Sequence, residues 1–211
     1  MLGSVLTAGA VASILTAALP LSAVAPTDTS PDRISMEIVN VNGSGCPAGT
    51  TAISPAADNT AFTVTYSQYT AQGGGDSDPT DIRKNCQLTL NVHVPQGFTY
   101  AIARADYRGF AHLERGATGL QRANYYFQGM SQTAAANHRL TGPVNDNWQN
   151  SDVTAADSLV YAPCGSERLL NINTELRVRA GTSVSATSFM SMDSTDGSVN
   201  TLYHFAWKRC P

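Results

Sequence analysis

The chain has 211 residues, a net charge of −3 and only 14% Asp, Glu, Lys and Arg. No run of basic residues appears, so a surface that tracks nucleic-acid phosphates is not expected. Low charge with abundant Thr, Ser, Asn and Gly suits an extracellular β protein and is compatible with a polar surface that binds sugars.

Met1 to Thr27 carry no ionisable side chain, and the first charge is Asp28. LTAGAVASILTAALPLSAVA reads as the apolar core of a signal peptide and ends in Ala23-Val24-Ala25, small residues at the positions signal peptidase needs. Residues 1–25 are therefore expected to be a cleaved signal peptide. Two details are unusual: no Lys or Arg precedes the apolar run, and Pro26 follows the expected cut. A retained membrane span is the competing reading, because about 20 apolar residues reach across a bilayer. Ala, Gly, Ser, Thr and Pro20 dilute that run and favour cleavage, which leaves no membrane segment in the mature chain. Residues 26–33 then form a polar lead-in, and 34–211 a single domain, long enough at roughly 180 residues to bury its own core.

Four cysteines follow: Cys46, Cys86, Cys164 and Cys210. In an exported chain an even count implies two bridges with three conceivable connectivities. The sequential pairing, Cys46–Cys86 and Cys164–Cys210, is preferred. Each would close a loop of about 40 residues, worth on the order of 3–4 kcal/mol in the chain-entropy model. Zinc is the weaker reading, since no two cysteines lie close enough in sequence for a knuckle.

Strand signals run through the rest. Ile34, Met36 and Ile38 share one parity. Phe62, Val64 and Tyr66 alternate with Thr63 and Thr65, the period-two pattern of a half-buried strand. The glycines of 71–81 (AQGGGDSDPTD) predict a mobile loop. Leu88, Leu90, Val92 and Val94 alternate with Gln87, Thr89, Asn91 and His93. Pro95-Gln96-Gly97 is expected to turn that strand into FTYAIARADYRG as a hairpin. GFAHLERG, LQRANYYFQG and SLVYAPC are further candidates. Residues 131–157 are the weakest stretch, an excursion leading to a strand near Leu140 or Trp148. Leu170, Ile172, Leu176 and Val178 oppose Asn171, Asn173, Glu175, Arg177 and Arg179. TSVSATSFMSM and NTLYHFAWKRC close the chain, the latter with Tyr203, Phe205 and Trp207 in alternation. About ten or eleven short strands and no helical period indicate an all-β, antiparallel, jelly-roll-like sandwich.

Chemistry is sparse. Asp76, Asp78 and Asp81, and separately Asp193 and Asp196, are the candidate calcium ligands, because a hard cation takes clustered carboxylates. The first group lacks the spacing of an EF-hand loop and reads more simply as a solvated acidic loop, and the second reads more simply as a turn. Calcium is the one cofactor the sequence offers. His93, His112, His138 and His204 have no metal-ligand spacing and read as exposed sheet histidines. No Gly-x-Ser-x-Gly elbow is present, and cysteines in disulfides supply no thiolate. Tyr107 and Trp148 are the candidate ligand contacts, since flat rings stack on sugars. Trp148 lies in the polar run GPVNDNWQNSD and is expected to be exposed.

NCQLTLNVHVPQGFTYAIARADYRG, YYFQG, TGP, PCG with LLNINTELRV, DSTDGS and the terminal YHFAWKRC, in that order, resemble secreted microbial proteins grouped as domain-of-unknown-function family 4360. The resemblance spans residues 34–211, includes all four cysteines and implies a secreted β domain. It brings no activity. The expected function is non-catalytic binding outside the cell, with a glycan or protein partner. A hydrolase of extracellular polymers is one alternative, with Asp106, His112, Asp193 and His204 converging. A secreted protease inhibitor presenting loop 71–81 is the other.

Overall fold

Alternating apolar residues favour strands with one buried and one solvated face, and a computed structural model of the chain is built from such strands. The structure describes residues 29–131, 135–182, 184–192 and 201–211, so the signal-peptide segment, Asp193 and Asp196 lie outside the described residues. In chain order the strands are β1 (Ser35–Asn42), β2 (Thr51–Pro55), β3 (Ala61–Tyr66), β4 (Thr70–Gly73), β5 (Arg83–His93), β6 (Phe98–Leu113), β7 (Thr118–Phe127), β8 (Ala136–Thr141), β9 (Val144–Val153), β10 (Leu170–Arg179), β11 (Ser188–Ser191) and β12 (Thr201–Arg209). Sheet A runs β1-β5-β10-β7-β8. Sheet B runs β2-β3-β12-β6-β11-β4, with β9 along the other edge of β6. Every pairing is antiparallel, and the described residues contain no α-helix. The fold is the expected antiparallel β-sandwich.

The core follows the parities. Leu88, Leu90, Leu170, Ile172 and Leu176 of sheet A face Phe62, Val64, Tyr100 and Tyr203 of sheet B, all almost fully buried. Phe62 stacks on Tyr203 at 5.0 Å, and Tyr100 meets Phe205 edge-on at 5.3 Å. The Tyr69 and Thr174 hydroxyls share a hydrogen bond of 3.1 Å across the interior, so this buried pair is satisfied. The disulfides are Cys46–Cys86 and Cys164–Cys210, the sequential pairing. The first is buried, with its cysteines 1% and 2% exposed, whereas Cys164 of the second is exposed.

Several local expectations change. Pro95-Gln96-Gly97 closes no hairpin: β5 lies in sheet A and β6 in sheet B, and the turn carries the chain from one sheet to the other. Both strands have an inward apolar set, and alternation identifies the buried face without identifying the sheet. GFAHLERG continues β6 instead of forming its own strand, and the SLVYAPC segment is irregular after a 3-10 turn at Ala156–Ser158. Segment 71–81 is partly regular. Its first residues complete β4, which pairs with β11, and Pro79–Ile82 is a 3-10 turn capped by Asp78. Gly74 and Gly75 have φ of +86° and +56°, and a Cβ at either would fall 2.4 Å from Ala186 O or Thr187 Oγ1. These glycines permit a left-handed turn packed against 184–187. Asp76, Asp78, Pro79 and Thr80 stay exposed on this packed segment.

Candidate functional site

Most outward positions of sheet A carry hydrogen-bonding side chains, and antiparallel register brings them into rows. One row is Arg83, Arg177, Leu120 and Arg139 across β5, β10, β7 and β8. The next is Asn85, Glu175, Arg122 and Asn137. Then come Gln87, Asn173 and Asn124, followed by Thr89, Asn171 and Tyr126. The sequence places these residues outward because each is the polar partner in a strand whose opposite parity is apolar.

Parts of this face are tightly fixed. Glu175, 8% exposed, takes Arg83 Nε on Oε2 at 2.8 Å and Arg177 Nη2 on Oε1 at 2.7 Å. Burial alone would raise the Glu175 carboxyl, but the two guanidinium groups outweigh it and hold the acid below its ordinary range. Thr89 Oγ1 donates to Asn171 Oδ1 at 2.9 Å. Between these fixed groups lies a shallow groove of about 260 Å³ lined by Arg83, Asn85, Gln87, Arg122, Asn124 and Asn173. Each amide there offers two donors and an acceptor, and each guanidinium a planar donor fork. Side chains borne on paired strands are better positioned than those on loops. Open toward solvent, this groove suits an extended chain more than an enclosed small molecule, whose sites span about 300–1,000 Å³.

The other candidate residues disperse. Asp106, 7% exposed on the outer face of sheet B, accepts from Arg104 Nε at 2.9 Å, from the Ser151 hydroxyl and from His204 Nε2 at 3.0 Å. Its burial favours the neutral acid, yet those three donors hold the carboxyl below its ordinary range. Serine, aspartate and histidine thus meet, but Ser151 gives its proton to Asp106 and not to His204. The serine–base contact that activates a nucleophile is therefore absent from this trio. His112 lies further along β6, with Nδ1 2.9 Å from Asn145 Oδ1. His138 bonds Asp152 at 2.5 Å, a contact between β8 and β9 that links the two sheets. His93 sits between Glu167 at 3.4 Å and Glu37 at 3.9 Å, on opposite ring nitrogens.

Asp76, Asp78 and Asp81 do not converge. Asp78 caps the 3-10 turn through Thr80 N at 2.8 Å, and Asp81 takes Lys84 Nζ at 2.7 Å, while Asp76 is exposed. Among the described residues no group of three or more His, Cys, Asp or Glu gathers as a metal site.

Trp148 is buried, not exposed as expected, at 6%. The polar run around it is strand β9, whose inward parity is Val144, Asp146, Trp148, Asn150 and Asp152. Because most of those inward positions are polar, the run lacks the apolar alternation that marks a strand. The indole covers Gly109, where an added Cβ would fall 2.6 Å from the ring. Tyr107 is also buried, at 0%, with its ring edge-on to Tyr203 at 6.1 Å. Neither ring reaches the surface as a ligand contact.

Fold and disulfides together define a stapled, all-β domain of the kind found among exported proteins. The chain belongs to the family described as "Domain of unknown function (DUF4360)", whose model matches residues 32–210. A relative named "Uncharacterized secreted protein", from Arthroderma benhamiae, is 36% identical over 180 residues, covering 85% of this chain and 73% of the relative. A solved structure, the enzymatically active domain of bacteriophage CBA120 tailspike protein 4, aligns over 84% of this chain and 19% of its own. Its identity is 9% and its TM-score 0.27, and the chain spans about a fifth of its length.

Proposed function

We propose that this protein acts outside the cell as a non-catalytic module that binds an extracellular glycan on the outer face of sheet A. The observation that carries the reading is the alignment of Asn85, Gln87, Asn124 and Asn173 beside guanidinium groups in one open groove. Sugar hydroxyls both donate and accept, and amides match that dual character better than charged or apolar side chains. Two disulfides and a secreted relative support the extracellular setting. Retention on a panel of immobilised cell-wall and matrix polysaccharides tests it, with wild type beside Asn173→Ala and Gln87→Ala. At least one polysaccharide should retain wild type, and each variant should weaken retention about 10-fold, the loss expected for a central interface contact. Retention unchanged in both variants, or no polysaccharide retained at all, refutes the reading.

A further inference from the structure

The arginines of sheet A are scattered along the sequence, yet they share one end of one face. Arg83, Arg177 and Arg139 occupy a single register row, Arg122 the next, and Arg179 lies two residues beyond Arg177 on β10. Against these five cations the register rows at that end carry one carboxylate among the described residues, Glu175, and both its oxygens are already engaged by Arg83 and Arg177. Arg122, Arg139 and Arg179 are exposed and have no ion-pair partner among the described residues. Glu37 and Glu167 lie at the other end of the sheet, beside His93. A protein of net charge −3 therefore presents a locally positive face adjoining its amide groove.

We infer that the glycan bound on this face is acidic, a sugar polymer bearing carboxylate or sulfate groups, with the anions seated on the arginine end and the hydroxyls on the amide groove. The inference rests on the glycan reading above and specifies its ligand class. Arginine forks match carboxylate and sulfate oxygens bidentately, and exposed guanidinium groups lose little hydration on pairing. Neighbouring strands lie about 4.8 Å apart, so Arg177 on β10 and Arg139 on β8 spring from backbones roughly 10 Å apart. A chain with repeated anionic groups can meet cations set out over several strands and two register rows. Nucleic acid is the competing polyanion, but on this face Tyr126 is the one aromatic position in the rows, and single strands are held on several stacked rings.

The test measures binding of polygalacturonate, dextran sulfate and neutral dextran, with single-stranded DNA as control. Proteins are wild type, the R122Q/R139Q double variant and N173A, each first shown to melt as wild type does. The acidic polymers should bind at least about 10-fold more tightly than dextran, and their binding should weaken as salt rises from about 50 to 200 mM. R122Q/R139Q should lose about 10-fold for acidic polymers, and N173A should lose affinity as well. Preference for polygalacturonate or for dextran sulfate assigns the anion as carboxylate or sulfate. If dextran binds as well as the acidic polymers, and N173A weakens binding while R122Q/R139Q does not, the acidic-ligand inference falls and the glycan reading stands. If no polymer responds to any of these substitutions, both fall. If DNA equals the acidic polymers with the same dependence on R122Q/R139Q and no effect of N173A, the face binds polyanions without reading sugar, and the inference is overturned.

Discussion

Removing each disulfide separately should give unequal losses, although the loops are nearly equal in length. The bridged cysteines are 40 residues apart in Cys46–Cys86 and 46 apart in Cys164–Cys210. In the chain-entropy model each closure stabilises the fold by about 4 kcal/mol at 25 °C, and the two differ by only about 0.1 kcal/mol. Burial separates them. Cys46 and Cys86 are 1% and 2% exposed within the core cluster, so Cys46→Ala/Cys86→Ala also leaves a cavity about two sulfur atoms in size. At about 1 kcal/mol for each methyl-sized void, its total becomes roughly 6 kcal/mol. Cys164 is exposed, and Cys164→Ala/Cys210→Ala should lose about 4 kcal/mol. Urea unfolding of both variants against wild type measures the losses, and mild reduction of the folded protein should open Cys164–Cys210 first. Equal losses, or a larger loss from the exposed bridge, would refute the burial argument. Losses under about 1 kcal/mol for both would refute the assignment of the disulfides as main staples.

The acid limb of stability should come from two carboxylates. Asp106 and Glu175 are held below their ordinary values of 3.8 and 4.5 in the folded protein, so their contribution is complete above those values and fades as pH falls through the folded ones. Urea midpoints should therefore drop between pH 5 and pH 2, and Asp106→Asn with Glu175→Gln should flatten that drop; an unchanged slope would show that these acids are not responsible. Gln121 is fully buried, and neither of its amide atoms has a hydrogen-bond partner among the described residues. Gln121→Leu should leave stability unchanged or raise it by up to about 2 kcal/mol, read from thermal melts, because an unpaired buried amide is costly. A loss above about 1 kcal/mol would show that the amide has a partner of its own.

Much of the fold was legible because alternation reports burial directly. The inward sets of β3, β5, β10 and β12 were each readable as a run of one parity, and the sequential cysteine pairing, preferred among three conceivable ones, is the observed one. Sheet membership was not legible: β5 and β6 show equally good alternation, and nothing local says that the chain changes sheets at Gly97. A bulge at Ala103 adds to this, because it moves the buried parity of β6 from Tyr100 and Ile102 to Ala105 and Tyr107. Trp148 misled because an edge strand with polar inward neighbours resembles a loop. The candidate face was half legible. The polar parity of β5 and β10 was visible, but gathering Arg83, Arg122, Arg139 and Arg177 needs a register across four strands that sequence separation conceals.

The central claim is that the outer face of sheet A is the ligand surface, and NMR titration of the labelled protein with short oligosaccharides of galacturonate and of glucose tests it most directly. The account predicts saturable shifts in the side-chain amide signals of Asn85, Gln87, Asn124 and Asn173, with the Asp106–His204 region unmoved. No shift with either sugar, or shifts confined to the Asp106 cluster or to residues around Cys164–Cys210, would contradict it.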